Sequence, residues 1–166
     1  VTSITADCNF TGLAQTRCEK AYGAINQNLQ TYAQNDFRPW TDPYHLRATL
    51  ELYKVTKDQE LLNTFTVFSD YILNKRASVT NQKDFSGSAR PCWITTKYSL
   101  GKPMCWVVHA GFVLSPMLEF AYIVKNDPTL NQDANLVAKS DAYILAAEQA
   151  VTTFNSSYYT KSAGKM

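Results

Sequence analysis

Apolar residues recur at helical spacing in one run after another of this chain, and turn residues separate the runs. A period near 3.6 with regular breaks leaves little room for anything but packed α-helices. The first run extends from Leu13 to about Asn35, with Ala21, Ile25, Leu29 and Tyr32 on one stripe and Asn35-Asp36 as its stop. Pro43 opens the second behind Thr41 or Asp42 as its cap, and Leu46, Leu50 and Tyr53 share a face. Lys57-Asp58 is a short break, after which Leu61, Phe65, Phe68 and Ile72 stripe a third helix ending near Lys75-Arg76. The tight connection makes these two an αα-hairpin. A long loop from Ala77 to Cys105 follows. The next helix is expected from about Val107 to Lys125, either kinked at Pro116 or starting near Leu114. Asn126-Asp127-Pro128 is a turn, and the last helix runs from about Gln132 to Phe154, with Val137, Ile144, Ala147, Val151 and Phe154 on its stripe. The expected fold is all-α, about five helices with one long ordered loop. It reads as a single helical domain over 1–166, divided as 13–76, 77–106 and 107–155.

The chain also repeats itself. Leu50-Glu51-Leu52 returns as Leu118-Glu119-Phe120, and Ser69-Asp70-Tyr71-Ile72-Leu73 returns as Ser140-Asp141-Ala142-Tyr143-Ile144-Leu145. Arg38-Pro39-Trp40 ahead of the first hairpin matches Arg90-Pro91-Cys92-Trp93 ahead of the second. The repeating unit is therefore a leading loop with Arg-Pro and Trp, then an αα-hairpin. Such units bury their apolar faces on their neighbours, giving a solenoid or a closed toroid, and two units with the leading helix make an arc.

The four cysteines form two close pairs, Cys8/Cys18 and Cys92/Cys105. Three connectivities are formally open, and the local one is favoured because each pair flanks a short loop. Even pairing suits an exported protein, secreted or periplasmic; the contrary reading is four buried thiols in a cytosolic one. Zinc is disfavoured because no spacing is CxxC-like, so no metal is expected. Asn9-Phe10-Thr11 matches a glycosylation sequon, as many sequences do by chance. The start, VTSITADC, lacks the basic and apolar regions of a signal peptide and an initiator Met, so the chain is expected to be a mature or trimmed form. No apolar run is expected to reach the length of a membrane span. A net charge of +2 without a basic stripe gives no reason to expect nucleic acid.

Function is expected at Arg90–Gly111, RPCWITTKYSLGKPMCWVVHAG. This stretch concentrates Trp93, Trp106, Tyr98, His109, Arg90 and Lys97, and turns at Gly101-Lys102-Pro103. The succession of leading loop, DPYHLRATLELY, outer helix and WVVHAGF resembles proteins of the six-hairpin glycosidase-like superfamily over roughly residues 13–155. That superfamily has (α/α) toroid folds and includes glycoside hydrolases and polysaccharide lyases. The resemblance implies that the hairpins form part of such a toroid. It also implies a sugar cleft lined by Arg38, Trp40, Tyr44 and His45 from one repeat and by Arg90, Trp93, Tyr98, Trp106 and His109 from the next.

The residues themselves divide the chemistry. A glycosidase needs two carboxylates across the scissile bond. Asp42 and Asp127 both precede Pro and read as cap and turn residues, while Glu51 and Glu119 read as structural or solvated. A polysaccharide lyase needs a cation at the uronate, a base and an acid, and Arg90, Lys97, Tyr98 and His109 are of the right types. His109 and Tyr98 are therefore the catalytic candidates. Arg90, Trp93, Lys97, Trp106, Arg38, Trp40, Tyr44 and His45 are the substrate-binding candidates. Against this, each histidine reads more readily as a structural residue and each Arg-Pro as a loop brace, while each Trp reads equally as a loop anchor. The first expectation is an exported carbohydrate-active domain that binds a polysaccharide or oligosaccharide, with cleavage by elimination as a further step. The alternative is a non-catalytic helical-repeat module presenting a Trp-rich loop to a protein partner. Phosphate-binding loops and Ser-nucleophile motifs do not occur in the sequence, and no cofactor is expected.

Overall fold

A computed structural model describes residues 3–32 and 38–157. The fold is all-α, with six helices and one two-residue strand pair among the described residues. The chain divides into two compact units, Val1–Leu73 and Asn74–Met166.

The first unit holds α1 (Gly12–Tyr32), α2 (Pro43–Thr56) and α3 (Gln59–Asn74). Ile25 and Leu29 are buried as the α1 stripe requires, but its most deeply buried side chain is Tyr22. The expected stop at Asn35-Asp36, and the side chain of Tyr32, lie outside the described residues. The segment before α1 is held to it twice. Cys8 and Cys18 are bridged, with Cα atoms 6.0 Å apart. Asn26 accepts from the Ile4 N–H at 2.8 Å and donates to the Ile4 carbonyl at 2.8 Å.

α2 begins at Pro43, where the missing N–H costs nothing. Asp42 occupies the cap position, but its carboxylate makes no cap bond; it faces back to Arg38, which corrects the expectation of a side-chain cap. Leu46, Leu50 and Tyr53 are buried. Lys57 closes α2 in the left-handed region, its N–H on the Tyr53 carbonyl. Asp58 then starts α3 by accepting from the Glu60 N–H at 2.9 Å, and its other oxygen accepts a hydrogen bond from the Tyr22 hydroxyl at 2.6 Å. One carboxylate thus ties α1 to the turn between α2 and α3. The α3 stripe of Leu61, Phe65, Phe68 and Ile72 is buried as expected.

The second unit contains α4 (Ala77–Thr80), an antiparallel pair of β1 (Ile94–Thr95) and β2 (Met104–Cys105), α5 (Val107–Asn126) and α6 (Ala134–Ser157). The long loop therefore carries a helical turn and a small hairpin that apolar periodicity does not reveal. α5 is helical throughout from Val107 with Pro116 inside and buried, so the later start near Leu114 is not adopted. α5 is long and apolar enough to cross a membrane by length and composition, with half of it buried, which corrects the expectation that no run reaches that length. After α5, the Asp127 carboxylate accepts from the N–H groups of Thr129 and Leu130, making the expected turn. Asp133 accepts from the N–H groups of Asn135 and Leu136 and caps α6. α5 and α6 pack together, with Phe120 and Tyr143 edge to face at 5.5 Å. The α6 stripe differs from the expected one: Leu136, Ser140, Tyr143, Ala146, Ala150 and Phe154 are buried, whereas Val151 is exposed. Aliphatic side chains at Val137 and Val151 drew the sequence reading one position round the helix from the face that Tyr143 fills.

Candidate functional site

The expected functional stretch is a braced hairpin. Ile94 pairs with Cys105 and Thr95 with Met104, and the Cys92–Cys105 disulfide closes the base with Cα atoms 5.9 Å apart. Both sulfur-bearing residues are buried. The loop from Thr96 to Pro103 turns at Leu100 and Gly101, whose φ angles of 51° and 84° are left-handed. Glycine takes that conformation freely, whereas leucine does so at a cost. The Ser99 N–H donates to the Thr96 carbonyl at 3.4 Å and the Lys102 N–H to the Ser99 carbonyl at 3.0 Å; the Ser99 hydroxyl also reaches the Lys102 carbonyl. Leu100 stands fully in solvent at the tip.

A buried carboxylate fixes the stretch leading to the hairpin. The Asp84 side chain is fully buried and accepts from the Ser86 N–H at 2.9 Å, the Ser86 hydroxyl at 2.6 Å, the Ser88 N–H at 3.0 Å and Arg90 Nε at 2.6 Å. Burial alone would raise its pKa, but the donors from Ser86, Ser88 and Arg90 outweigh burial and hold the carboxyl well below the usual range. Gly87 closes this turn at φ 80°. The Phe85 N–H then bonds the Pro103 carbonyl at 2.8 Å, joining the turn to the hairpin. The Ala77 and Ser78 N–H groups, orphans of the first turn of α4, are taken by the carbonyls of Cys92 and Arg90.

Three of the expected site residues meet here. The Tyr98 ring, 50% exposed, lies edge-on to His109 with centroids 5.9 Å apart. Lys97 Nζ stands 5.6 Å from the centre of the Tyr98 ring. His109 is buried in the first turn of α5, and that burial lowers its pKa, so the ring is neutral near neutral pH. The remaining candidates of this unit have structural placements. Arg90 is engaged by Asp84 and by the Ser86 hydroxyl at 3.2 Å. Trp93 is 3% exposed and has no open face for a sugar. Trp106, at the cap position of α5, is half-buried, and its Nε1 is buried with no hydrogen-bond partner among the described residues.

The candidates of the first unit gather at the start of α2. Arg38 pairs with Asp42 at 3.1 Å. Trp40 and Tyr44 are exposed. His45 Nδ1 is 2.8 Å from Asn28 Nδ2, so this ring nitrogen accepts and the imidazole is neutral. Burial also lowers the His45 pKa, while Asp42 opposes the shift.

Both Arg-Pro phrases thus hold a nearby carboxylate, Asp42 in one case and Asp84 in the other. Asp84 itself escaped the sequence reading, although Asp followed by Phe-Ser-Gly-Ser is a legible side-chain turn. No group of three or more His, Cys, Asp or Glu among the described residues is placed to hold a metal ion. Among the described residues, apolar grooves run along the α5–α6 and α1–α2 pairs. One, of about 410 Å³, lies between α5 and α6. The other, of about 560 Å³, lies between α1 and α2. Neither is lined by Tyr98 or His109.

Comparison with protein-family profiles, curated proteins and solved structures finds no match to this chain.

Proposed function

We propose that this protein is an exported binding module that holds an acidic polysaccharide on the hairpin loop Thr96–Pro103. The observation that carries the reading is the exposed set of Lys97, Tyr98 and Lys102 on a loop braced by a disulfide and a buried ion pair. From Phe85 to Leu118 the chain has no Asp or Glu, so no carboxylate of that stretch opposes an anionic ligand. Lysines supply the charge that uronate carboxylates need, and a half-exposed Tyr ring offers a face for a sugar. Two disulfides are typical of extracellular or periplasmic proteins, and the secreted or periplasmic setting is where such a polymer would be met. In this reading the helical hairpins are part of an (α/α) toroid of the six-hairpin glycosidase-like kind.

The contact between Tyr98 and His109 favours a second reading, elimination. An accessible phenol beside a neutral imidazole, with Lys97 at hand for the uronate carboxylate, has the right groups. His109 is buried, so Tyr98 is the group of the two that a polymer would touch. Presentation of a Trp-rich surface to a protein is less well served, because Trp93 is in the core and the exposed aromatic of the loop is Tyr98.

The test is calorimetric titration with polyuronate, neutral glucan and mannan oligosaccharides at low and high salt. Polyuronate should bind at low salt and weaken as salt rises, since exposed charges are screened beyond about 10 Å at 0.1 M. Lys97→Ala, Lys102→Ala and Tyr98→Ala should each weaken it about tenfold, the loss of one good contact. Binding that is unchanged in all three variants, or confined to neutral glycans, overturns the reading. Ultraviolet absorbance of an unsaturated product with the unsubstituted protein, lost in Tyr98→Phe, would establish elimination.

A further inference from the structure

We propose that the groove between α1 and α2 is a self-association surface, filled by the same two helices of a second copy about a two-fold axis. The groove has helical texture on both walls. Leu13, Arg17 and Ala21 succeed one another at intervals of four along α1, and Ala48, Leu52 and Val55 do so at four and three along α2. Ala14, Ala21 and Ala48 keep the floor low enough for another helix to approach. Large apolar side chains stand uncovered on its walls. Leu13 is 64% exposed and Val55 65%, and Phe10 joins them on the rim. Single exposed apolar residues are ordinary on a protein surface; three on the walls of one groove mark an interface.

The charges name the occupant. Arg17 on the α1 wall and Glu51 on the α2 wall are the two charged residues lining the groove. A two-fold axis brings the Glu51 of each copy towards the Arg17 of the other, so the surface is complementary to itself. An acyl chain would leave both charges without use, and an anionic ligand would meet Glu51. Glu51 Oε1 already holds Lys54 at 2.6 Å, leaving the second carboxylate oxygen for a guanidinium. The walls are preformed, because the Cys8–Cys18 bridge and the Asn26 clamp hold the Phe10 segment against α1. A preformed surface loses less conformational freedom on association. The inference stands apart from the polysaccharide reading; if both hold, each dimer carries two hairpins for one polymer.

Sedimentation equilibrium on the whole chain, from about 1 µM to about 1 mM, spans the range from moderate to weak association. A monomer–dimer equilibrium is expected. Arg17→Glu and Glu51→Arg should each raise the dissociation constant at least tenfold, and the two together should restore most of the association. Leu13→Asp and Val55→Asp should abolish it; all four positions are exposed, and circular dichroism would confirm that the helices remain. A monomer at every concentration, or a dimer indifferent to Leu13→Asp and Val55→Asp, overturns the proposal. Single charge reversals that are not rescued by the double one overturn the two-fold arrangement.

Discussion

Replacing Asp84 tests whether one buried carboxylate organises the hairpin region. Its side chain is fully buried, and that of Arg90 is 24% exposed. Asp84→Ala leaves a half-buried guanidinium with the Ser86 hydroxyl, and strands the N–H groups of Ser86 and Ser88. Breaking a buried ion pair from one side costs about 3–5 kcal/mol. Ser86 is exposed and its N–H can find water, so the lower part of that range applies, about 3–4 kcal/mol. For a chain of this size each kcal/mol moves the melting temperature by about 2–4 °C, giving a fall of roughly 6–16 °C. Asp84→Asn keeps the shape and can still accept from both N–H groups, so its loss should be about half as large; that loss measures the charge, and the difference from Asp84→Ala measures the retained hydrogen bonds. The pH dependence follows from the folded carboxyl lying below its unfolded value of about 3.9. Its stabilisation is complete above that unfolded value and is lost as pH falls through the folded one. Urea unfolding of the unsubstituted protein and of Asp84→Asn, at pH 7 and at steps below pH 4, checks both points. The unsubstituted protein should lose stability more steeply in acid. A loss under about 1 kcal/mol for Asp84→Ala, or equal acid slopes, would refute the assignment of Asp84 as the anchor.

Three other outcomes follow from the same geometry. Tyr22→Phe should cost about 1.5–3 kcal/mol, the worth of a hydrogen bond to a charged group. It should also remove the phenol whose pKa burial, with help from Asp58, pushes up to about 12, as read by ultraviolet titration of tyrosinate. Joint replacement of Cys92 and Cys105 by Ser should cost about 3 kcal/mol in the loop-entropy account, and hydrogen exchange should quicken at the Ala77 and Ser78 N–H groups, which bond the carbonyls of residues 92 and 90. The pKa values of His45 and His109 are lowered by burial, so their contribution to stability is whole above about 6.5 and declines as pH falls through the folded values. Histidine resonances in NMR that titrate at or above the value of a free imidazole would contradict this.

Sequence pattern reveals what periodicity encodes, and here that was most of the helical frame. The α3 stripe and the face of α2 were legible because large apolar residues at helical spacing fill most of the buried positions, although Thr49, Thr64, Thr66 and Ser69 are buried among them. Local cysteine pairing was legible because short loops leave little choice. What escaped were polar side chains acting at a distance: Asn26 clamping Ile4, Asn28 meeting His45 and Tyr22 bonding Asp58. Their partners lie 17 to 36 residues away, beyond any local signal. The internal repeat shows the same boundary. Ser69 and Ser140 are both fully buried, and Ile72 and Tyr143, three residues on in each helix, are buried with them. The spacing from the serine repeats in packing, but the letters do not: Leu73 is buried and its counterpart Leu145 is 53% exposed. Leu50-Glu51-Leu52 and Leu118-Glu119-Phe120 do not match in packing either, because Leu50 is buried where Leu118 is 41% exposed, and Phe120 takes the buried place instead. Two phrases of like spelling therefore face different surroundings. The two buried serines mark the register more faithfully here than the apolar letters do, but they are held differently. The Ser140 hydroxyl donates to the Leu136 carbonyl at 2.9 Å. The Ser69 hydroxyl is buried with no hydrogen-bond partner among the described residues, so Ser69→Ala should be neutral or stabilising, whereas Ser140→Ala should cost about 1 kcal/mol. Equal losses in the two variants would mean that the serines are held alike, and that burial alone, not the bond, sets the register.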